Sequence, residues 1–227
     1  MTEIGFIGLG RMGGNMVNRM VDAGNVRTVI WNRTQSKMDE YVAKGAIPST
    51  TISELVSKLE EDKKVIWLML PSGEPTQKAF DEVLNLLSKG DVIVNGANSN
   101  FHDSIKMHAT AKKAGIGMLD VGVSGGIVAA KTGYPMMIGG EQEVYDYVKP
   151  IFASFGLEGG YNLCGAGGSG HYVKMIHNAI EYGMMQAIGE GFDLLKNGRF
   201  KDLDLLEISK IWNTGCIVES FLMKMTQ

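Results

Sequence analysis

The sequence predicts an α/β protein in which a doubly wound parallel sheet is followed by an all-helical C-terminal region. Two patterns indicate this. Apolar runs without polar breaks alternate with amphipathic stretches in the first two thirds of the chain, and strand-like runs stop after glycine-rich residues 163–170. Uninterrupted apolar strands separated by helices are typical of parallel sheets that helices cover on both faces. An antiparallel domain would need hairpin turns between neighbouring strands, and the sequence offers none.

The order of elements follows from these runs. Five strands are expected, at residues 4–7, 27–31, 65–70, 91–94 and 117–121, with helices at 12–23 and 36–44 after the first two. Residues 171–197 predict one long apolar helix, and residues 203–225 predict another that Gly215 interrupts. We therefore expect a sheet domain at residues 1–166 and a helical domain at residues 167–227.

Composition excludes several classes of function. The 227 residues carry a net charge of −3 without clustered lysine or arginine, so no nucleic-acid partner is expected. No apolar run reaches the roughly 18 to 20 residues of a membrane span, and the first residues lack the layout of a signal peptide. Cys164 and Cys216 are too few for a disulfide framework or a metal site. We expect a cytoplasmic protein that binds neither membrane nor metal.

A glycine-rich motif stands between the first strand and the first helix. It consists of Gly8, Leu9, Gly10, Arg11, Met12 and Gly13. The spacing fits G-x-G-x-x-G, whose glycines permit a tight turn and close approach of the backbone to a pyrophosphate at the helix N-terminus. Its place between strand and helix predicts a dinucleotide site in a Rossmann-type domain.

The end of the second strand bears on the choice of dinucleotide. NAD sites usually carry an acidic residue there, whereas this chain has Asn32, Arg33 and Thr34. Arg33 can pair with a 2′-phosphate, and its neighbours can donate hydrogen bonds to it; the alternative is that Arg33 is a solvated loop charge. We expect NADP as the cofactor, with NAD the weaker candidate. Leu70 and Asn98, which follow later strands, are further expected cofactor contacts.

Polar side chains form a stripe on the long apolar helix. At about 100° per residue, His177, Asn178 and Glu181 fall within roughly 60° of Lys174. Lys174 and Glu181 are roughly 10 Å apart along the axis, too far for a direct pair, so a small polar ligand between them would satisfy both. The alternative is a stripe that faces solvent. The apolar remainder of the helix should be largely buried.

Two loops follow strands of the predicted sheet and carry further polar residues. Asn98 and Ser99 follow the fourth strand, and Ser124, Gly125 and Gly126 follow the fifth. Ligands of open α/β sheets bind outside the carboxyl ends of the strands, so both loops are candidate binding elements. Ordinary turn chemistry would explain the same residue types.

Together these motifs resemble the β-hydroxyacid dehydrogenase superfamily. The shared features are the 8–13 loop, Val123-Ser124-Gly125-Gly126 with Gly139-Gly140, and Lys174 with Asn178. Gly96-Ala97-Asn98-Ser99 and residues 174–182 are more specific and resemble the 6-phosphogluconate dehydrogenase family, whose motif reads K-M-x-H-N-x-I-E-Y. The resemblance extends in order from residue 4 to about residue 222.

The resemblance implies NADP-dependent oxidative decarboxylation of 6-phosphogluconate to ribulose 5-phosphate and CO2, a reaction of the pentose phosphate pathway and of gluconate utilisation. Lys174 would take the proton of the 3-hydroxyl while hydride passes to the nicotinamide, and Glu181 would protonate C1 of the enediol. A lysine base must be a neutral amine, a form that burial favours. The implied contacts of the substrate's hydroxyls and carboxylate are His177, Asn178, Asn98, Ser124, Gly125 and Gly126. Tyr182 would reach its phosphate.

The chain also departs from the family pattern. Glu219 stands where the stretch W-x-x-G-C/S-I-I-R-S carries an arginine that contacts the substrate phosphate, so an unphosphorylated sugar acid stays possible. The family continues with further helices, so we expect the helical region to be incomplete at Gln227. One alternative is a β-hydroxyacid dehydrogenase, such as a 3-hydroxyisobutyrate dehydrogenase, acting on another sugar acid or 3-hydroxy acid. Another is a catalytically weak NADP-binding protein whose helices mainly form an oligomer interface.

The last helices are unusually apolar. They carry Met184, Met185, Met223 and Met225. Two helices cannot enclose that much apolar surface alone, so we expect a homodimer packed through this region, as the resemblance also implies.

Overall fold

A computed structural model describes residues 2–227, which divide into two compact units. The first unit extends to Lys174 and contains the sheet, and the second, Met175–Gln227, is helical. The domain boundary near residue 166 stays a prediction from the sequence.

Strands and helices alternate along the first unit. In chain order they are β1 (Thr2–Ile7), α1 (Arg11–Ala23), β2 (Val26–Trp31), a 3-10 turn (Gln35–Met38), α2 (Asp39–Val42), β3 (Ile47–Pro48), α3 (Ile52–Ser57), β4 (Val65–Leu68), α4 (Glu74–Leu86), β5 (Val92–Asn95), α5 (Phe101–Lys113), β6 (Gly117–Val123), α6 (Ala129–Thr132), β7 (Tyr134–Gly140), α7 (Gln142–Phe155) and β8 (Gly156–Gly165). Helix α8 (Ser169–Asn197) begins in this unit and continues into the second.

The eight strands form one sheet in the order β3-β2-β1-β4-β5-β6-β7-β8. The pairs from β3 to β6 are parallel, β6 and β7 are antiparallel, and β7 and β8 are parallel to each other. The chain proceeds outward from β1 in one direction and then from β4 in the other. This reversal next to β1 is the point at which open α/β sheets bind ligands.

Helices bury both faces of the sheet. Trp67 of β4 is fully buried on one face, where its ring stacks on Phe6 of β1 and meets Phe152 and Phe155 of α7 edge-on. The other face buries side chains of α3, α4 and α5, among them Phe80. Because β1, β4 and β5 are apolar on both faces, this core fixes the strands whose carboxyl ends lead into the candidate site.

The sheet has three strands beyond the five that the sequence predicts. β3 spans two residues, which is too short to give a periodic signal. β7 and β8 contain Pro135 and several glycines, residues that are depleted in strands. The predicted parallel sheet is confirmed except at β7, which pairs antiparallel with β6. The connection between β6 and β7 contains the short helix α6 and no tight hairpin turn.

Two predicted helices are shorter than expected. Residues 36–44 form the 3-10 turn and the four-residue α2, and residues 203–225 form α9 (Leu205–Trp212) and α10 (Phe221–Lys224). Gly215, in the left-handed region at φ +77°, lies in the loop between α9 and α10. Asp204 and Ser220 cap the two helices by accepting hydrogen bonds from the backbone amides of Glu207 and Met223.

The second unit leaves much of its apolar surface exposed. Phe192 of α8 packs edge-on against Trp212 of α9, yet the side chains of Leu194 and Ile211 are 72% and 61% exposed. The expectation that α8 is largely buried is therefore wrong, because its buried residues are confined to Gly170, His171 and Lys174. Over residues 2–227 we find no helix with the length and apolarity required to cross a bilayer.

Candidate active site

The glycine motif forms the turn between β1 and α1. Gly8 has φ +105°, and a Cβ there would meet the carbonyl oxygen of Met69. A Cβ on Gly13 would meet the carbonyl oxygen of Gly8, so both glycines are required by close backbone packing. Gly10 differs: it is exposed, and a Cβ there would have no atom within 4 Å.

The start of α1 is open toward this space. Gly10 is its N-cap and supplies no side-chain cap, so the first amides of the helix are available to an anion. Arg11 is exposed, and Met12 is partly buried against the core. A tight glycine turn, open space at Gly10 and an uncapped helix N-terminus together fit a dinucleotide pyrophosphate.

The loop after β2 lies beside this turn. The side-chain oxygen of Asn32 accepts a hydrogen bond from the Leu9 amide at 3.0 Å, and its Nδ2 donates to the carbonyl oxygen of Thr34 at 2.9 Å. Asn32 thus ties the glycine turn to the β2 loop. Arg33 and Thr34 are exposed on that loop. Leu70, which follows β4, is partly buried and lies 3.0 Å from where a Cβ on Gly8 would stand.

Asn98 joins the two polar loops of the site. Its φ of +49° is unusual for a residue with a side chain, although asparagine tolerates it better than most. The side-chain oxygen of Asn98 accepts a hydrogen bond from the backbone amide of Val123 at 2.9 Å, and its Nδ2 donates one to the Val123 carbonyl oxygen at 3.2 Å. The loop after β5 is therefore fixed against the end of β6, where Ser124 begins the next loop.

Lys174 of α8 lies beside Ser124, the first residue of this loop. It is 8% exposed, and its Nζ donates to Ser124 Oγ at 3.0 Å. A Cβ on Gly122 would meet the Cβ of Lys174, so the missing side chain lets α8 approach β6. Gly125 and Gly126, with φ of +92° and +50°, turn the chain away after Ser124. The structure thus brings Asn98, Ser124 and Lys174 together, and their roles in a site stay predictions.

The other polar residues of the stripe belong to the second unit. His177 Nδ1 lies 3.1 Å from Asn178 Oδ1 and 3.7 Å from Glu181 Oε2, so these three side chains form a polar group. Tyr182 is 69% exposed. Glu219, in the loop before α10, accepts a hydrogen bond from the Gly215 amide at 2.8 Å.

A buried polar cluster around Asp120, near the start of α8, is not predicted from the sequence. Asp120 of β6 accepts hydrogen bonds from His108 and from the amides of Gly168 and His171. His171 in turn lies 2.7 Å from Ser104 Oγ. The one sequence feature that indicates such a cluster is a single carboxylate in an otherwise apolar strand. In the part of the chain that the structure describes, no group of three or more His, Cys, Asp or Glu could hold a metal ion.

Comparison with known proteins agrees with this arrangement. The NAD-binding domain of 6-phosphogluconate dehydrogenase matches residues 3–166, and the C-terminal domain of 6-phosphogluconate dehydrogenase matches residues 170–227. The chain is 40% identical, over 99% of its length and 74% of the relative's, to a Haloferax volcanii protein named as an NAD(+)-dependent, decarboxylating 6-phosphogluconate dehydrogenase. It is 40% identical, over 99% of its length, to the decarboxylating 6-phosphogluconate dehydrogenase 2 of Saccharomyces cerevisiae, of which it covers 47%.

Solved structures give the same relationship. A Plasmodium falciparum 6-phosphogluconate dehydrogenase, described in apo form and in complexes with NADP+ and 6-phosphogluconate, superposes with a TM-score of 0.88 at 30% identity, over 99% of this chain and 50% of the other. A 3-hydroxyisobutyrate dehydrogenase of Mycobacterium tuberculosis superposes with a TM-score of 0.82 at 26% identity, over 98% of this chain and 73% of the other.

The fold and these relatives define an oxidoreductase: a dehydrogenase with a Rossmann-type NAD(P)-binding domain followed by a helical region. Within that class, the chain belongs to the 6-phosphogluconate dehydrogenase family.

Proposed function

We propose that this protein catalyses the NADP-dependent oxidative decarboxylation of 6-phosphogluconate to ribulose 5-phosphate and CO2. The observation that carries the proposal is the buried Lys174 amine, 3.0 Å from Ser124 Oγ in the loop after β6. β1, β4, β5 and β6 are parallel, so their carboxyl ends share one edge of the sheet with the glycine turn. A base at this edge lies where substrates of such folds bind.

The proposed chemistry divides among the chain's own residues. Lys174 takes the proton from the substrate's 3-hydroxyl. A nicotinamide cofactor held at the glycine turn of residues 8–13 would supply the acceptor for the hydride that leaves C3. The β-keto acid loses C1 as CO2, and Glu181 gives a proton to the former C2 of the remaining enediol, which becomes C1 of ribulose 5-phosphate. Glu181 faces His177 at 3.7 Å, which supports its assignment as a proton-transfer group.

The remaining proposed contacts position the two ligands. Asn98 is bonded to Val123, the residue before Ser124. Asn98 and the backbone amides of Gly125 and Gly126 are therefore the proposed donors to the substrate carboxylate beside Ser124. The family resemblance supports His177 and Asn178 as partners of the substrate hydroxyls and Tyr182 as a partner of its phosphate. These assignments are proposals, as is the division into a cofactor domain at residues 1–166 and a substrate and dimerisation domain at 167–227.

NADP is the proposed cofactor because Arg33 is the charged residue of the β2 loop. The Asn32 side chain bonds to the Leu9 amide and the Thr34 carbonyl, so its role is to shape the loop rather than to contact a 2′-phosphate directly. Arg33 and Thr34 are exposed and can reach such a group. The Haloferax relative is named as NAD(+)-dependent, which keeps NAD as the competing cofactor.

A second candidate substrate is an unphosphorylated sugar acid or another 3-hydroxy acid. Glu219 favours it, because a carboxylate at a phosphate-binding position is repulsive. Its hydrogen bond with the Gly215 amide stabilises the loop before α10 without supplying a positive charge. The likeness to a 3-hydroxyisobutyrate dehydrogenase is compatible with this candidate.

Absorbance of the reduced nicotinamide tests these proposals. 6-Phosphogluconate and gluconate are each offered with NADP and with NAD while released CO2 is trapped. NADPH and CO2 formed in equal amounts from 6-phosphogluconate would support the main proposal. Activity on gluconate alone would move the assignment to an unphosphorylated acid. Cofactor binding without turnover of either acid would favour a catalytically weak NADP-binding protein.

A further inference from the structure

Asp120 is a carboxylate in the interior of the sheet unit. It lies in the middle of β6 with no solvent exposure, a costly position unless hydrogen bonds satisfy the charge. His108 Nε2 and the Gly168 amide donate to its Oδ1 at 2.9 and 2.7 Å, and the His171 amide donates to its Oδ2 at 2.8 Å. Burial opposes ionisation, but these hydrogen bonds outweigh it and lower the pKa of Asp120. The group is therefore a carboxylate at neutral pH.

Two of these three donors are amides at the start of α8: Gly168 directly precedes the helix, and His171 lies in its first turn. Amides in the first turn of a helix have no acceptor within the helix, and a negative charge at that end is favoured by the helix dipole. Asp120 therefore caps α8 from a strand, in place of a residue next to the helix in sequence. Such a cap fixes where the helix begins relative to β6.

Glycine contacts make the connection between α8 and the sheet tight. A Cβ on Gly170 would meet the backbone carbonyl oxygens of Asp120 and Met137, so the first turn of α8 lies directly on β6 and β7. One turn later, the Cβ of Lys174 occupies the space that a side chain on Gly122 would fill. No flexible side chain separates helix from strand at either point.

The His171 ring provides a second connection from the same turn. Its Nε2 lies 3.2 Å from the carbonyl oxygen of Val121, and its Nδ1 lies 2.7 Å from Ser104 Oγ. Since a carbonyl only accepts, Nε2 carries the proton and Nδ1 accepts from the Ser104 hydroxyl. Burial lowers the pKa of His171, which agrees with a neutral ring. The first turn of α8 is thus held to β6 and to α5.

We propose that Asp120 is a positioning residue: by holding the first turn of α8 on β6, it sets the place of the Lys174 amine beside Ser124. The inference rests on the proposed function, because it assigns Lys174 the role of base. Lys174 follows His171 by three residues on one rigid helix, so a shift of the capped turn moves the amine relative to the substrate hydroxyl.

The test compares Asp120→Asn with a matched control, Asp91→Asn. Asp91 is also buried and accepts two backbone amides, from Lys64 and Ser88, each at 2.8 Å, at the opposite edge of the sheet. We expect Asp120→Asn to lower kcat about 10- to 100-fold, because small misplacements of a catalytic group have costs of that order. The KM for NADP should change by less than about twofold, since the glycine turn is not touched. Asp91→Asn should retain kcat even where it lowers Tm.

Hydrogen exchange and lysine labelling give readouts that do not depend on turnover. In Asp120→Asn, the amides of residues 168–174 should exchange faster than in the wild type, and trace acetylation of Lys174 relative to exposed Lys112 should change; Asp91→Asn should alter neither. Unchanged kcat, or unchanged exchange and labelling, would overturn the inference. If the wild type turns over no sugar acid, the proposed function fails, and the labelling of Lys174 alone decides whether Asp120 positions it.

A milder variant covers the case in which Asp120→Asn does not fold. Ser104→Ala leaves the Asp120 cap in place but removes the donor to His171 Nδ1. We expect a smaller loss of kcat in the same direction, about fivefold, which corresponds to the loss of one hydrogen bond of about 1 kcal/mol, with faster exchange at residues 168–174. A Ser104→Ala protein that matches Asp91→Asn in all readouts would contradict the proposal.

Discussion

At the scale of single residues, the proposed mechanism depends most on the amine of Lys174. Lys174→Met keeps the length and apolar stem of the side chain but removes the group that takes the proton. We expect turnover to fall by roughly 10²- to 10⁴-fold, the usual contribution of a general base. Fluorescence titration should give an NADP Kd close to that of the wild type, because the Lys174 amine donates to Ser124 in the loop after β6, whereas the pyrophosphate is proposed to bind at the glycine turn.

Lys112→Met is the matched control for that substitution. Lys112 is an exposed lysine paired with Glu141 at 2.7 Å, away from the loops of the site, so its loss should leave turnover intact. Substantial residual turnover in Lys174→Met, with Lys112→Met behaving like the wild type, would remove Lys174 from the role of base.

Arg33 is the residue on which cofactor preference should depend. Hydrogen bonds to a charged group contribute about 1.5–3 kcal/mol, so Arg33→Ala should weaken NADP binding about tenfold or more. NAD binding should change little, because NAD lacks the 2′-phosphate. Kd values of both cofactors measured by titration check this, with Lys37→Ala in the adjacent 3-10 turn as the control. Equal losses of affinity for NADP and NAD would show that Arg33 does not contact the 2′-phosphate.

The sequence indicates which polar residues lie near one another better than it indicates what each side chain contacts. The positions of Asn98, Ser124 and Lys174 follow from strand ends and helix periodicity, because parallel strands end at one edge. The task of Asn32 does not follow, since its bonds to Leu9 and Thr34 depend on the folded loop. Asp120 is the single charged residue of an otherwise apolar strand. Its hydrogen-bond partners lie in α5 and at the start of α8, and only the folded structure shows that these elements meet β6.

At the scale of elements, two glycines of the β1–α1 turn differ in the space that is available for a side chain. Gly13→Ala should disrupt the turn, because the new methyl group would meet the Gly8 carbonyl, and we expect a clear fall in Tm. Gly10→Ala should leave the Tm of the cofactor-free protein nearly unchanged, since Gly10 has φ −71° and open space around it. Its methyl group would instead occupy the space proposed for the pyrophosphate.

Calorimetry of the two variants with and without NADP checks this distinction. The wild type should gain Tm when NADP is added, because a ligand that binds only the folded state stabilises it. Gly10→Ala should lose that gain while keeping its own Tm. A Gly10→Ala protein that still gains Tm with NADP would show that the cofactor does not approach the turn as proposed.

Strands and helices whose sequences are strongly apolar can be predicted from the sequence, and those with a weak apolar pattern cannot. β1, β4, β5 and α8 carry long apolar runs, and the sequence places each within a few residues. β7 and β8 are missed because proline and glycine weaken their strand signal, although both pair in the sheet, with an irregular register between them. Pairing within a sheet is decided by neighbouring strands, which a local pattern does not contain.

At the scale of the whole molecule, the helical unit exposes apolar side chains that a stable protein normally covers. Leu194 and Ile211 are 72% and 61% exposed, and Met185 and Met225 are about half exposed. Large apolar side chains exposed in this number on one unit indicate an interaction surface. We therefore propose a homodimer that packs through the helices of residues 175–227, consistent with the expectation from the sequence.

Light scattering at micromolar concentration measures this directly. We expect a mass twice that of the 24.6 kDa chain, and a shift toward the single-chain mass in the double variant Leu194→Lys, Ile211→Lys, because two buried lysines without partners disfavour the dimer. Val42→Lys, at an exposed apolar residue of α2 in the sheet unit, is the control and should keep the wild-type mass. A single-chain mass for the wild type would contradict the dimer. A dimer that survives the double lysine variant would place the interface elsewhere, because neither substituted side chain could then be buried in it.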